Sequence, residues 1–120
     1  MSHPDQAQDI VQYYIVNEEL PMSPGKIAAQ AAHAAVTMTL HYLLGDTKHH
    51  ALFQAWLNAG QKKIVLKSNE QQLTKLTEAG FLAIRDAGHT EIPAGSMTVV
   101  VLPPMEKSDA RPHVQGLKLL

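Results

Sequence analysis

Lys26 is the residue whose position most invites chemistry. Ser23-Pro24 reads as a helix start, because serine can accept a backbone N–H at the N-cap and proline gives up a donor that has no partner there. Lys26 then occupies the third helical position, where a capping box would place Glu or Gln. The positive end of the helix dipole disfavours a cation at that place, by about 0.3–1 kcal/mol at an exposed site. Backbone N–H groups beside an ammonium suit a phosphate or a developing oxyanion. An ordinary surface lysine is the competing reading. A helix turns about 100° per residue, so Lys26, Gln30, His33 and Thr37 share one face. Ile27, Ala28, Ala31, Ala35, Met38 and Tyr42 fall opposite, and an amphipathic helix with its polar stripe in water would explain the pattern equally well.

A second candidate is Asp86. Leu82, Ile84 and Asp86 alternate along one face of a strand, which puts a carboxylate at the end of an apolar row. Ligands of α/β sheets collect beyond the carboxyl ends of parallel strands. Ala87-Gly88-His89-Thr90 follows as a tight, backbone-rich turn with a hydroxyl. The plainer readings are that Asp86 caps this turn and that Thr98 is an ordinary strand threonine. Arg85 faces away from Asp86 on an ideal strand and reads as structural or RNA-facing.

Other chemistries are excluded by what the chain lacks. It has no cysteine, so thiolate metal sites, disulfides and cysteine nucleophiles are absent. Seven histidines occur, but none has His-x-x-x-His spacing on an expected helix, and no metal site is expected. Gly25-Lys26 is not a P-loop, because Leu20 stands where that motif needs glycine and Ile27 where it needs Ser or Thr. No Gly-x-Ser-x-Gly elbow is present.

A net charge of −1 argues against indiscriminate nucleic-acid binding, and no DNA partner is expected. Distribution matters more than the total. Lys62, Lys63, Lys67, Lys75, Arg85, Lys107, Arg111 and Lys118 lie in the second half, while Glu18 and Glu19 weigh on the first. These cations make either a local basic face or a merely solvated surface. The first residues lack the basic and then apolar regions of a signal peptide. No apolar run approaches the roughly 20 residues of a spanning helix. The expectation is a cytoplasmic protein without a membrane partner.

The elements that must position these residues follow from pattern. With 120 residues, 1–120 reads as one domain. Residues 10–16, rich in β-branched and aromatic side chains, predict a buried strand. A long helix over 24–44 ends at Gly45-Asp46, where glycine would supply a left-handed cap. A shorter helix is expected over 48–58 and a strand over 62–67. Asn69 caps a helix reaching Glu78, and strands follow over 81–86 and 96–102, ended by Pro103-Pro104. A short helix near 106–113 precedes Leu117, Leu119 and Leu120, which are expected to pack. The order implies βαβ crossovers and a partly parallel sheet covered on both faces. The last two strands either pair antiparallel or lie apart.

Four segments together resemble the type-II peptidyl-tRNA hydrolase family. They are Met22-Ser23-Pro24-Gly25-Lys26-Ile27-Ala28-Ala29-Gln30 continuing to His33-Ala34-Ala35, and Gly60-Gln61-Lys62-Lys63-Ile64-Val65-Leu66-Lys67. Ile84-Arg85-Asp86-Ala87-Gly88-His89-Thr90 with Gly95-Ser96-Met97-Thr98-Val99, and the ending Leu117-Lys118-Leu119-Leu120, complete the set. The resemblance implies a three-layer α/β/α fold with a mixed four-stranded sheet between helices, and a homodimer. It implies hydrolysis of the ester joining a peptidyl or N-acyl-aminoacyl group to the 3′ end of tRNA, without metal or organic cofactor. Carried onto this chain, it makes Lys26, Asp86 and Thr90 catalytic, with Gln30, His33 and Thr98 binding substrate. The chain departs from the family at Asn17-Glu18-Glu19, where a basic residue is common, and at Pro104. That acidic turn favours an alternative, a non-catalytic RNA- or protein-binding member of the fold.

Overall fold

Eight consecutive buried residues make Ile10–Asn17 (β1) the axis around which the chain is organised. In a computed structural model describing residues 9–45, 49–88 and 91–120, β1 is followed by Pro24–Leu44 (α1), His50–Asn58 (α2), Lys63–Ser68 (β2) and Glu70–Glu78 (α3). Leu82–Arg85 (β3), Met97–Val101 (β4), Met105–Glu106 (β5), Lys107–Val114 (α4) and Lys118–Leu119 (β6) complete it. The sheet runs β3-β4-β1-β2-β6, with β5 pairing β1 beyond the end of β4. β1 and β2 are parallel, and the other pairs are antiparallel. The fold is α/β with a mixed open sheet.

The long elements form where the pattern places them. Ser23 caps α1 by accepting the Lys26 N–H, and Asn69 caps α3 by accepting the Gln72 N–H at 2.8 Å. Alternation along β1 divides the core. Ile10, Tyr14 and Val16 pack with α1 and α2, while Val11, Tyr13 and Ile15 pack with α3 and Ala110 of α4.

Three expectations need correction. The sheet has six strands rather than four, because two two-residue strands extend it. The first, β5, arises because Pro103-Pro104 breaks the β4 ladder and lets the chain re-pair with Ile10 and Val11. The second, β6, holds the tail by backbone: Leu119 and Leu120 stay exposed, although the Leu120 N–H reaches the Val65 carbonyl at 3.1 Å. Gly45 ends α1 at φ −123°, so the stop uses no left-handed cap; Asp46 and the expected first residues of α2 through Lys48 lie outside the described residues.

The open question of the last two strands is resolved as an antiparallel β3–β4 pair. Because β4 is also antiparallel to β1, the strands β1, β2 and β3 all point the same way. Their carboxyl ends share one edge of the sheet, and α1 begins there.

Burial has a measurable consequence at Tyr14, which is 2 % exposed and donates its hydroxyl to Gln12 Oε1. Desolvation pushes its pKa from 10.0 up to about 12. The neutral phenol is thus favoured in the folded state, and stability is unaffected below pH 10, where both states keep the proton. Above that, the unfolded chain ionises first, so stability should fall by on the order of 2–3 kcal/mol between about pH 10 and 12. Denaturant midpoints at pH 9 and pH 11.5 should show this drop, and Tyr14→Phe should flatten it.

Candidate active site

The first turn of α1 lies over the carboxyl end of β3, and the two meet through charge. Lys26 Nζ is 2.6 Å from Asp86 Oδ1, and their side chains are only 11 % and 3 % exposed. The anion implied by a cation at a helix start is therefore present within the chain. Gln30, one turn on, donates from Nε2 to the same Asp86 oxygen at 3.2 Å. The other carboxylate oxygen accepts the Gly88 N–H at 2.7 Å. Since a carboxylate only accepts, it fixes which end of the Gln30 amide faces it. The Gln30 carbonyl then faces Thr98, whose hydroxyl donates to it at 2.8 Å.

The polar stripe of α1 is thus only partly water-facing. Gln30, Ala34, Met38 and Tyr42 are buried together, which places the stripe at the border of the packed face rather than opposite it. His33 is exposed on that helix and makes no hydrogen bond or ion pair to another described residue. Thr90 lies outside the described residues.

Thr98 reaches Gln30 through an irregularity that periodicity does not reveal. Ile84 pairs with Val99, but the next residue, Arg85, pairs with Met97, so β4 carries one extra residue. Such a bulge re-aims a side chain that strict alternation would send to the other face. Val99 packs with α1 while Met97 and Val100 pack on the α3 side, leaving Thr98 to face α1.

Two residues at the site were not anticipated. Glu91 receives the Ser23 backbone N–H and hydroxyl, each at 3.2 Å, from 68 positions away. A capping box normally takes that carboxylate from the third helical position, which Lys26 occupies here. Glu91 supplies it from the loop, tying that loop to the helix start. Asn17 is buried at the end of β1 and donates to the Met97 carbonyl at 3.0 Å, bracing the start of β4. The capping deficit at Lys26 was a signal for a distant acid, though not for which one.

Residues 10–120 match the family described as peptidyl-tRNA hydrolase PTH2. The chain belongs to that family. A peptidyl-tRNA hydrolase of Methanococcus maripaludis is 34 % identical over 116 residues, covering 91 % of this chain and 97 % of the relative. One from Thermococcus sibiricus is 38 % identical, with 91 % and 96 % covered. Peptidyl-tRNA hydrolase 2 of Saccharomyces cerevisiae is 38 % identical over 115 residues, with 88 % of this chain and 55 % of the yeast protein covered.

Within this peptidyl-tRNA hydrolase family member, the acidic turn after β1 has a structural task. Glu19 Oε1 accepts the Glu70 N–H at 2.6 Å, so that carboxylate caps the start of α3. Arg85 donates to the Gly95 carbonyl at 3.0 Å, bridging the base of the Asp86 loop. No group of three or more His, Asp or Glu suited to a metal ion occurs among the described residues.

The loop depends on Gly88. Its φ is +83°, and an added Cβ would lie 2.6 Å from the Ala94 Cβ and 2.9 Å from the Ala94 nitrogen. Gly60 has a similar φ of +107° with open space around it. Gly60→Ala should therefore cost about 1 kcal/mol of unfolding free energy and Gly88→Ala at least about 1 kcal/mol more. Urea denaturation of both variants measures the difference, and equal losses would refute the tight packing at Gly88.

Proposed function

We propose that this chain hydrolyses the ester between a peptidyl or N-acyl-aminoacyl group and the 3′ end of tRNA, releasing tRNA for reuse. Membership in the family and the names of the similar archaeal proteins support that activity. The observation that carries the site assignment is the Lys26–Asp86 contact at 2.6 Å. A nearly buried ion pair is weak evidence for stability, because desolvation offsets its attraction. Its retention at the end of the sheet, with Gln30 and Gly88 holding the carboxylate, is what a hydrolytic centre needs.

In this reading Asp86 orients a water and takes its proton as the water oxygen attacks the ester carbonyl. Thr90 is assigned to the same step by the resemblance of its segment. The Lys26 ammonium and the α1 N-terminus offset the negative charge of the tetrahedral intermediate or of the terminal phosphate. Collapse expels the 3′ ribose oxygen, which regains a proton, and leaves the acyl group as a carboxylic acid. Thr98 is 0 % exposed and Gln30 is 8 % exposed, so we assign them to aligning Asp86 more than to gripping substrate. His33, exposed on the same helix, borders the approach. The two core clusters support a three-layer α/β/α arrangement.

Purified protein incubated with an N-acyl-aminoacyl-tRNA should release free tRNA, and Lys26→Ala or Asp86→Asn should each slow it by roughly 10²-fold or more. Circular dichroism must show both variants folded. A folded wild type without turnover overturns the function; unchanged rates in the variants overturn the site alone.

We also propose a homodimer formed through α1. Val36, Leu40, Leu43 and Leu44 are 59 %, 50 %, 54 % and 81 % exposed, an apolar stripe at helical spacing that suits a second copy. Sedimentation should give a dimer for wild type and a monomer for Leu40→Glu. A monomeric wild type at tens of micromolar removes this assignment.

A further inference from the structure

Pairing across the sheet draws a straight row from the Asp86 strand to two lysines. Ile84 pairs with Val99, Val99 with Val16, Val16 with Lys67, and Lys67 with Lys118. Side chains directly opposite one another share a face. Ile84, Val99 and Val16 pack with α1, so Lys67 and Lys118 lie on the α1 face too. Asp86 follows two positions after Ile84 at the same edge. Three strand spacings separate β3 from β2, roughly 14 Å at about 4.8 Å each.

Like charges directly opposite on neighbouring strands destabilise a sheet. Here the register that aligns Leu66 with Leu119 forces Lys67 against Lys118. Neither lysine makes an ion pair with a described residue. Three other cations of the same half are engaged: Lys62 pairs with Asp9, Lys63 lies 4.9 Å over the Trp56 ring, and Arg85 donates to the Gly95 carbonyl. Lys67 and Lys118 also line a hollow of about 310 Å³ with Ser68, Gly116, Leu117 and Glu18. On the α1 side, Val65 and Leu120 join Pro24, Ile27, Ala28 and Ala31 around an open apolar hollow of about 440 Å³.

We propose that Lys67 and Lys118 together bind a phosphate of the single-stranded 3′ tail of tRNA, a few nucleotides before the ester held at Asp86. The proposal rests on the hydrolase reading, since it supplies the path that brings the tail to that site. Two cations on one face, at a distance spanned by a short single strand, answer the repulsion that the register imposes. The apolar hollow beside them offers a floor to an unstacked base, whereas a duplex presents its bases stacked. Glu18, at the margin of the same hollow, opposes the phosphate and limits affinity.

The test is binding of deacylated tRNA, with and without its single-stranded 3′ tail, to wild type, Lys67→Gln/Lys118→Gln and Glu18→Gln. Lys75→Gln, an exposed change on α3, is the control. The double variant should bind intact tRNA about tenfold more weakly, and its log Kd against log salt slope should fall by roughly 0.7, for one single-strand phosphate contact. On tailless tRNA it should bind as wild type does, while Glu18→Gln should tighten intact tRNA about threefold. Unchanged affinity and salt slope in the double variant would overturn the proposal. An equal loss on tailless tRNA would also overturn it, by moving the contact to the duplex. Because binding is read without turnover, failure of the hydrolase assay and failure of this contact are separate results.

Discussion

One ammonium and one carboxylate, brought from opposite halves of the chain, tie the start of α1 to the carboxyl end of β3. Lys26 is placed at the third position of α1 by its N-cap, and Asp86 at the end of β3 by the strand that carries it. Neither is fully exposed, so each needs the other: removing one partner would leave a poorly hydrated charge without compensation. That mutual need fixes the height of α1 over the sheet. It also explains why Gln30 is buried on what would otherwise be an apolar face, since its amide completes the carboxylate and is completed by Thr98.

Two local departures from regularity make this contact possible. The bulge in β4 turns Thr98 toward α1, at the point where Gln30 needs a donor. The loop after Asp86 returns to the helix start through Glu91, which substitutes for the acid that Lys26 displaces from the capping box. Glu91 adopts φ +67° to do so, a conformation uncommon for a residue with a side chain. Irregular backbone therefore gathers around the Lys26–Asp86 pair, while β1 is buried along its whole length.

Charge on the remaining surface is arranged by the same frame. The acidic turn after β1 looked opposed to an RNA substrate, yet Glu19 is consumed in capping α3. On the far side of α1, the short β6 places Lys118 beside Lys67 at the level of the site. A net charge near zero thus coexists with a local cationic pair, because strand register rather than composition decides where charges accumulate.

From sequence alone came the caps at Ser23 and Asn69, the four long strands, the run Leu82-Ile84-Asp86 on one face and the oddity of Lys26. These are local properties, written in period, capping chemistry and resemblance. Tertiary structure decided what they meant. It alone showed that the partner of Lys26 is Asp86, that Gln30 faces inward, and that Thr98 stands on a bulge. Glu91, Asn17, β5 and β6 were illegible for a related reason, since each is defined by a pairing partner distant in the chain. Periodicity reports which face a residue takes on its own element; only packing says what lies opposite.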